Sequence, residues 1–138
     1  MILLDSSGLL AALDSAQRSH AAAAASLTSA APPLLLSPFV LAELDYLVAE
    51  RVGQSARASL LAEVERGAYR LQQFGDADVR EALGVMRRYA DLRISLADAS
   101  IVVLANRHGT RDVLTLDERH FRVLNAAGKP FRLLPADA

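Results

Sequence analysis

The pattern of apolar and polar positions along the chain predicts short strands separated by helices. Five short runs rich in apolar residues predict buried strands, at 2–4, 34–36, 69–72, 112–114 and 131–134. The stretches between them carry helical patterns, over about 8–13, 19–31, 38–52, 54–66, 76–89 and 96–107. The chain therefore alternates between the two kinds of element from its first residues to its last.

Several helix starts are marked by specific residues. Ser37 followed by Pro38 predicts an N-cap serine with proline at the first helical position. The stretch Ser95–Asp98 has the spacing of a capping box before an apolar helix, and Thr115–Glu118 repeats that spacing after a strand. We therefore expect helices to begin at these three points.

Short apolar strands that alternate with helices are typical of an α/β chain with a parallel sheet covered on both faces. The 138 residues are enough for one domain, so residues 1–138 are expected to form a single unit. In sheets of this kind, ligands bind at the carboxyl ends of the strands. Asp5 follows the first strand directly, and Asp117 lies just past another.

Composition excludes several classes of protein. There is no cysteine, which excludes disulfides and thiolate metal sites. A hydrophobic content of 52% with 22% charged residues indicates a globular chain rather than a disordered one. No stretch is apolar for long enough to span a bilayer, and no cationic leader precedes the first apolar run. We therefore expect a cytoplasmic protein.

Charge is unevenly distributed although the net charge is only −1. Residues 1–79 hold 5 basic and 9 acidic side chains, whereas residues 80–132 hold 10 basic and 6 acidic ones. All but one of the basic residues are arginine, whose planar donor fork suits phosphate and carboxylate. The basic half is compatible with RNA or an acidic partner, and equally with ordinary solvated helix faces.

The helix that begins at Pro38 carries two acids that should face different ways. Glu43 lies three residues after Val40 and four before Leu47, which places it on or beside the apolar stripe. Asp45 is about 200° further around the helix and is expected to face water. A carboxylate removed from water needs a cation nearby, so Glu43 is expected to meet either an arginine or a metal ion.

Asp5, Asp98 and Asp117 each have a purely structural interpretation and a chemical one. Asp5 follows a buried strand and can cap the next helix, while Asp98 sits in a capping box on an almost wholly apolar helix. Asp117 is an ordinary acid near a helix start. Capping does not explain why these acids and Glu43 all border apolar surfaces or element ends, so a shared cation is the alternative.

The type of cation follows from the residues available. Oxygen ligands without cysteine favour Mg²⁺ or Mn²⁺. His20, His108 and His120 show no zinc-ligand spacing, so zinc is not expected. Divalent ions held by carboxylates activate water for attack on a phosphodiester. Four carboxylates around one ion would therefore be suited to cleaving nucleic acid.

Four stretches together resemble the PIN-domain nucleases, and within them the VapC-type toxins of type II toxin–antitoxin modules. The stretches are LLDSSGLLAAL, SPFVLAELDYLVAERVG, DLRISLADASIVVLANR and VLTLDERHF, and they span the chain in family order. The resemblance implies a three-layer α/β/α sandwich around a short parallel sheet. It also implies an Mg²⁺-dependent endoribonuclease, with Mn²⁺ as a possible substitute, that inhibits translation.

The resemblance also assigns roles to residues and partners. Asp5 and Asp98 would be the principal metal ligands, Glu43 and Asp117 would complete the acidic pocket, and Ser7 would orient it. The family implies a homodimer and a cognate antitoxin whose C-terminal segment covers the active site. DNA would be contacted only through the other half of that antitoxin. Family members cut particular tRNAs or the sarcin–ricin loop of ribosomal RNA, and SPFVLAELDYLV and TLDERHF look most like the subgroup that cuts ribosomal RNA.

These assignments lead to a mechanistic hypothesis. Mg²⁺ on Asp5 and Asp98 would activate water, and Glu43 or Asp117 would position that water for in-line attack on phosphorus. Five arginines could contact the RNA backbone, and each could equally be solvated surface or antitoxin-binding charge: Arg87, Arg88, Arg93, Arg119 and Arg122.

Two other functions compete with this hypothesis. The first is an inactive module of the same fold that binds RNA or protein without cutting, and the four acids argue against it because clustered carboxylates repel phosphate. The second is a phosphoacceptor receiver domain, for which Lys129–Pro130 is suggestive. Receivers need an acidic pair after the first strand, whereas here Ser6 follows Asp5.

Overall fold

A five-stranded parallel sheet forms the centre of the molecule. The computed structural model describes all 138 residues, and its sheet has the strand order β3-β2-β1-β4-β7. These strands are β1 (Ile2–Leu4), β2 (Leu34–Leu36), β3 (Arg70–Leu71), β4 (Asp112–Leu114) and β7 (Arg132–Leu134). A separate antiparallel hairpin pairs β5 (Asn125–Ala126) with β6 (Lys129–Pro130) and was not expected from the sequence.

Seven α-helices connect and cover these strands. They are α1 (Ser6–Leu13), α2 (His20–Ser29), α3 (Pro38–Arg51), α4 (Gln54–Glu65), α5 (Asp76–Arg88), α6 (Leu96–His108) and α7 (Glu118–Phe121). A short 3₁₀ helix lies at Ala90–Leu92 between α5 and α6. All six helices predicted from the pattern are present, with ends that differ by no more than two residues.

The sheet is covered on both faces. Ile2, Leu3 and Leu4 alternate between the two faces of β1, and none of them is more than 2% exposed. Leu35 and Leu36 on β2 and most of β4 and β7 are equally buried, and they belong to one core of 30 residues. The predicted three-layer α/β/α sandwich is therefore confirmed.

Two of the three predicted helix starts are confirmed in detail. The Ser37 hydroxyl accepts a hydrogen bond from the backbone N–H of Phe39. Ser95 and Asp98 form the reciprocal capping box. The third prediction was wrong, because Asp117 rather than Thr115 caps α7 by accepting from the N–H of His120. The Thr115 hydroxyl is bonded to Asp5 instead.

Gly8 allows α1 to pack closely against the end of β4. A Cβ atom built on Gly8 would lie 2.3 Å from the carbonyl oxygen of Leu114 and 2.7 Å from the backbone nitrogen of Thr115. Because backbone cannot move aside as a flexible side chain can, only glycine fits here. This close approach brings the residues just before α1 next to those just after β4.

No helix in the structure combines the length and the apolarity that crossing a membrane requires.

Candidate active site

The acidic residues meet at the carboxyl edge of the parallel sheet. Asp5 follows β1, Thr115 follows β4, and α3 begins at Pro38 immediately after β2. Because these three strands are parallel neighbours, their carboxyl ends lie at the same edge. The site is thus built where the fold class places ligands.

Asp5 is the most deeply buried acid of this edge. It is 4% exposed, and its Oδ2 accepts hydrogen bonds from Ser7 Oγ at 2.7 Å and Thr115 Oγ1 at 2.6 Å. No Asp5 side-chain atom caps α1, although Asp5 occupies the N-cap position. The interpretation of Asp5 as a helix cap therefore fails, and the carboxylate is held in place by two hydroxyls.

The same two hydroxyls fix the loop after β4. Ser7 Oγ accepts from the backbone N–H of Leu116 at 3.0 Å, and Thr115 Oγ1 accepts from that of Asp117 at 2.9 Å. Each hydroxyl thus accepts from the backbone and donates to Asp5. The arrangement ties the position of Asp117 to that of Asp5, and Ser7, which was expected to orient the pocket, contacts both Asp5 and the backbone of Leu116.

Burial and like charge raise the pKa values of two of these acids. Burial raises the pKa of Asp5 to about 6, and the charge of Asp98 adds to the effect, while the bonds from Thr115 and Ser7 oppose it. Burial also raises the pKa of Asp98, with Asp117 contributing in the same direction. The backbone N–H of Ser95 and the ring of His120 oppose that shift. These carboxylates are therefore close enough to repel one another.

Asp98, Asp117 and His120 form the tightest group of the site. One ligand atom from each lies within 4.8 Å of the other two. His120 Nδ1 is 2.9 Å from Asp117 Oδ2 and 3.4 Å from Asp98 Oδ2. The capping box orients Asp98 at the start of α6, and Asp117 is oriented by its bond to the His120 N–H. Asp5 and Glu43 stand outside this group.

Glu43 corrects one expectation from the sequence. It is exposed rather than turned into the core, because α3 buries the narrow stripe Val40, Leu44 and Val48 and leaves Glu43 at its margin. No arginine, lysine or histidine forms an ion pair with Glu43. Its carboxylate instead accepts from the hydroxyl of Ser6, the residue next to Asp5. Glu43 therefore borders the site without being buried in it.

Asp45 is less exposed than expected. It was expected to face water alone, but it is half-buried and pairs with Arg57 of α4, whose Nε lies 2.6 Å from Asp45 Oδ1. An arginine was one of the two partners expected for Glu43, and the arginine that pairs with an acid of α3 is found beside Asp45 instead, on the side of α3 that packs against α4.

Three contributors to this site were missed by the sequence reasoning. Ser6, Thr115 and His120 touch Glu43, Asp5 and the Asp98–Asp117 pair respectively. The signal for His120 was its spacing of three residues from Asp117, which places both on one side of a helical turn. The signal for Thr115 was its position directly after a buried strand, the same position that drew attention to Asp5.

The predicted RNA-contacting arginines fall into two groups. Arg87, Arg88, Arg93 and Arg119 are exposed and form no ion pair. Arg87 and Arg88 line a surface groove of about 470 Å³ at the end of α5, and Arg119 immediately precedes His120 in α7. These four remain available to contact phosphate.

Arg122 belongs to the other group. Its guanidinium lies 2.9 Å from Glu118 and 2.8 Å from Asp137, and these two carboxylates raise its pKa further above the usual range. A guanidinium already paired with two carboxylates is poorly suited to a phosphate as well. Its local role is to join α7 to the C-terminal residues.

The chemistry of the donors suits a divalent cation. Asp5, Asp98 and Asp117 offer carboxylate oxygens at one sheet edge, and no arginine or lysine neutralises any of them. In addition, His120 Nδ1 is buried and has no hydrogen-bond partner. A buried polar atom without a partner, beside carboxylates that repel one another, is the arrangement that a bound ion would satisfy.

Comparisons with known proteins find relatives over almost the whole chain. The family model for the PIN domain matches residues 2–126. Ribonuclease VapC26 of Mycobacterium tuberculosis is 46% identical over 127 residues, which are 92% of this chain and 94% of that protein. The crystal structure of VapC20, a sarcin-ricin loop cleaving toxin of the same organism, aligns with a TM-score of 0.79 over 85% of this chain and 90% of that one. At 21% identity, this second likeness shows the fold alone.

Proposed function

The chain belongs to the PIN domain family, and on this premise we propose that it is a metal-dependent endoribonuclease that acts as the toxin of a type II toxin–antitoxin module. One observation carries the proposal above all. Asp5, Asp98 and Asp117 are brought to one sheet edge from distant parts of the chain, and no arginine or lysine neutralises them. A divalent cation from solution would offset that repulsion.

The carboxylates have separable roles in this proposal. Asp5 and Asp98 hold the ion, which is Mg²⁺ or its substitute Mn²⁺. When bound, the ion supplies an activated water and neutralises charge on the phosphate. Asp117 and the exposed Glu43 complete the pocket, and either can orient the attacking water by accepting its proton. Ser7 and Thr115 keep Asp5 in position through their hydroxyls.

The proposed substrate is a structured RNA whose loss stops translation. The relative at 46% identity is named a ribonuclease, and the relative of similar fold is described as cleaving the sarcin-ricin loop. We therefore propose that this chain cuts either that loop of ribosomal RNA or a tRNA. Arg87, Arg88, Arg93 and Arg119 are exposed and unpaired, so they can contact phosphates along the RNA backbone.

Partners follow from the same proposal. A cognate antitoxin would cover the acidic edge with its C-terminal segment, and the exposed arginines suit an acidic segment of that kind. The toxin would contact operator DNA only through this antitoxin. We also propose a homodimer in the cytoplasm, in which each chain, residues 1–138, forms a single nuclease domain.

Cleavage of natural RNAs tests the proposal. Purified protein freed of antitoxin is incubated with ribosomes and with total tRNA in Mg²⁺, in Mn²⁺ and in EDTA, and the cut ends are mapped. We expect discrete cuts that require the metal and that are lost in Asp5→Asn and Asp98→Asn. Asp76→Asn is the matched control, because Asp76 is an exposed acid in the first turn of α5.

The alternatives predict different results. Cuts that persist in EDTA, or in both site variants, would contradict the metal-dependent mechanism. A folded protein that binds RNA but neither cuts it nor binds Mn²⁺ through these acids would be an inactive binding module of the same fold.

A further inference from the structure

Both the backbone and the side chain of His120 contact acidic residues of the site. Its N–H donates to Asp117 Oδ1 at 3.0 Å, which fixes the residue in α7, and its side chain is 21% exposed. The ring presents Nδ1 to Asp117 Oδ2 at 2.9 Å and to Asp98 Oδ2 at 3.4 Å. Nδ1 is buried and has no hydrogen-bond partner of good geometry.

These separations match those of ligands around one small ion. Octahedral coordination at about 2.1 Å places neighbouring ligand atoms about 3.0 Å apart. The two distances from His120 Nδ1 bracket that value closely, at 2.9 Å and 3.4 Å. Both contacts of His120 therefore fit a common ion, and the Asp98 and Asp117 ligand atoms lie within 4.8 Å of each other, so the two carboxylates could supply oxygen and His120 nitrogen.

A nitrogen donor changes which ion the site prefers. Mg²⁺ is a hard ion bound almost entirely by oxygen, whereas imidazole nitrogen suits first-row transition ions. A site of carboxylates alone would be expected to discriminate only weakly between Mg²⁺ and Mn²⁺. Replacing one oxygen donor by an imidazole should favour Mn²⁺.

We propose that His120 is a nitrogen ligand of the metal site and gives it a preference for Mn²⁺ over Mg²⁺. The inference rests on the proposed function, because it concerns the ion that the nuclease would use. It adds a residue that the acidic pattern does not contain, and it adds a nitrogen donor to ligands that are otherwise carboxylate oxygens.

The competing role for His120 is that of a counter-ion. A protonated imidazole between two carboxylates would neutralise them in the absence of metal, and a bound ion would then push the ring away. The two roles differ in one observable respect, since only a ligand has its nitrogen bonded to the ion. Pulsed electron paramagnetic resonance on bound Mn²⁺ detects such a nitrogen by its nuclear coupling.

The experiment uses the full chain with Mn²⁺ as the probe. Wild type, His120→Gln and the control His108→Gln are compared by pulsed resonance, and calorimetry gives the affinities of all three for Mn²⁺ and Mg²⁺. His108 ends α6, about 15 Å along the helix from Asp98, so it cannot reach the same ion. We expect nitrogen coupling in wild type and in the control but not in His120→Gln. The preference for Mn²⁺ should fall about tenfold in His120→Gln alone.

A second measurement removes any dependence on how the variant folds. In wild-type protein labelled with ¹⁵N only in histidine, the ¹⁴N coupling in the Mn²⁺ resonance spectrum should be replaced by ¹⁵N coupling. Bound Mn²⁺ without any histidine coupling would overturn the inference and favour the counter-ion role. If that result accompanied metal-dependent cleavage, the proposed function would stand. Absence of any Mn²⁺ site that depends on Asp5 and Asp98 would overturn both.

Discussion

Two groups of acidic residues in this chain differ in whether an arginine lies beside them. Away from the sheet edge, five carboxylates pair with arginines: Asp45 with Arg57, Asp78 with Arg107, Asp112 with Arg132, and both Glu118 and Asp137 with Arg122. At the carboxyl edge of the sheet, Asp5 and Asp98 are buried and Asp117 is partly buried, and none of the three pairs with an arginine. None of the 14 arginines of the chain therefore pairs with an acid of this edge.

The absence of arginine at the sheet edge affects both stability and access for a cation. A guanidinium is always charged, so an arginine beside Asp98 would occupy the position permanently. Leaving the carboxylates without one costs stability, because burial and mutual repulsion disfavour their charged forms. It also leaves the position open for a cation that can exchange. The acid–arginine pairs, in contrast, hold neighbouring elements together and have no exchangeable partner.

The largest expected effect comes from removing a charge at the edge. Asp98→Asn keeps the capping-box geometry with Ser95 but removes a proposed metal ligand, and we expect RNA cleavage to fall by at least about 100-fold. Single-turnover cleavage rates measured beside Asp76→Asn would check this. If Asp98→Asn cut RNA at the rate of wild type, Asp98 would not be needed for cleavage, and the proposed difference in function between the edge acids and the paired acids would be contradicted.

The second expected effect is an increase in stability when a charge at the edge is removed. Because burial raises the pKa of Asp5 to about 6, the folded state holds this proton more tightly than the unfolded chain does. The metal-free wild type should therefore lose stability as the pH rises from about 4 to about 6, and regain none above that. Asp5→Asn removes this penalty and should be more stable than wild type by about 1–3 kcal/mol near pH 7.5.

Denaturant unfolding in EDTA at two pH values measures this effect. The advantage of Asp5→Asn should be present near pH 7.5 and should be much smaller near pH 4, where the wild-type carboxyl is protonated in the folded state and about half protonated in the unfolded chain. Added Mn²⁺ should stabilise wild type and have little effect on the variant. An Asp5→Asn protein less stable than wild type near pH 7.5 would mean that the edge is not under electrostatic strain.

A smaller effect is expected from the hydroxyl that supports Asp5. Thr115→Val keeps the shape of the side chain but removes its bonds to Asp5 and to the N–H of Asp117. We expect the affinity for Mn²⁺ to fall about tenfold, as for other residues that orient a ligand. Calorimetry beside the exposed control Thr28→Val checks it, and equal affinities in the two variants would remove Thr115 from the site.

The smallest effect is expected at one of the acid–arginine pairs. Arg57→Gln breaks the bond to Asp45, and because the Arg57 side chain is 40% exposed, the melting temperature should change by no more than about 2 °C. Salt at about 0.5 M should reduce even that difference, since exposed charges are screened. RNA cleavage should be unchanged. Loss of cleavage in Arg57→Gln would show that the two groups of acids are coupled.

The sequence predicted best what local chemistry determines. The apolar runs located all five strands of the sheet, and Ser37–Pro38 and the Ser95–Asp98 box located two helix starts, because these signals depend only on neighbouring residues. The hairpin β5–β6 was missed, since two-residue strands leave almost no pattern. Phe131 was assigned to the last strand but precedes β7, a shift of one residue.

The site was harder to predict because its contacts span the chain. Thr115 meets Asp5 across 110 residues, so a local capping pattern was the only interpretation available for it. His120 was set aside for lack of zinc spacing, yet it meets Asp98 through folding rather than through spacing. Glu43 was placed on the correct helix but with the wrong burial, because α3 buries a narrower stripe than its apolar residues suggested.

The packing of Gly8 against the end of β4 has a consequence for the newly made protein. Asp5 is synthesised well before its partner Thr115 and before Asp117 and His120, all of which lie at least 110 residues further along the chain. Because chains begin to fold from the N-terminus during synthesis, β1 and β2 can pair long before β4 arrives. The acidic edge therefore cannot assemble until the residues that follow β4 have been synthesised and have packed against α1.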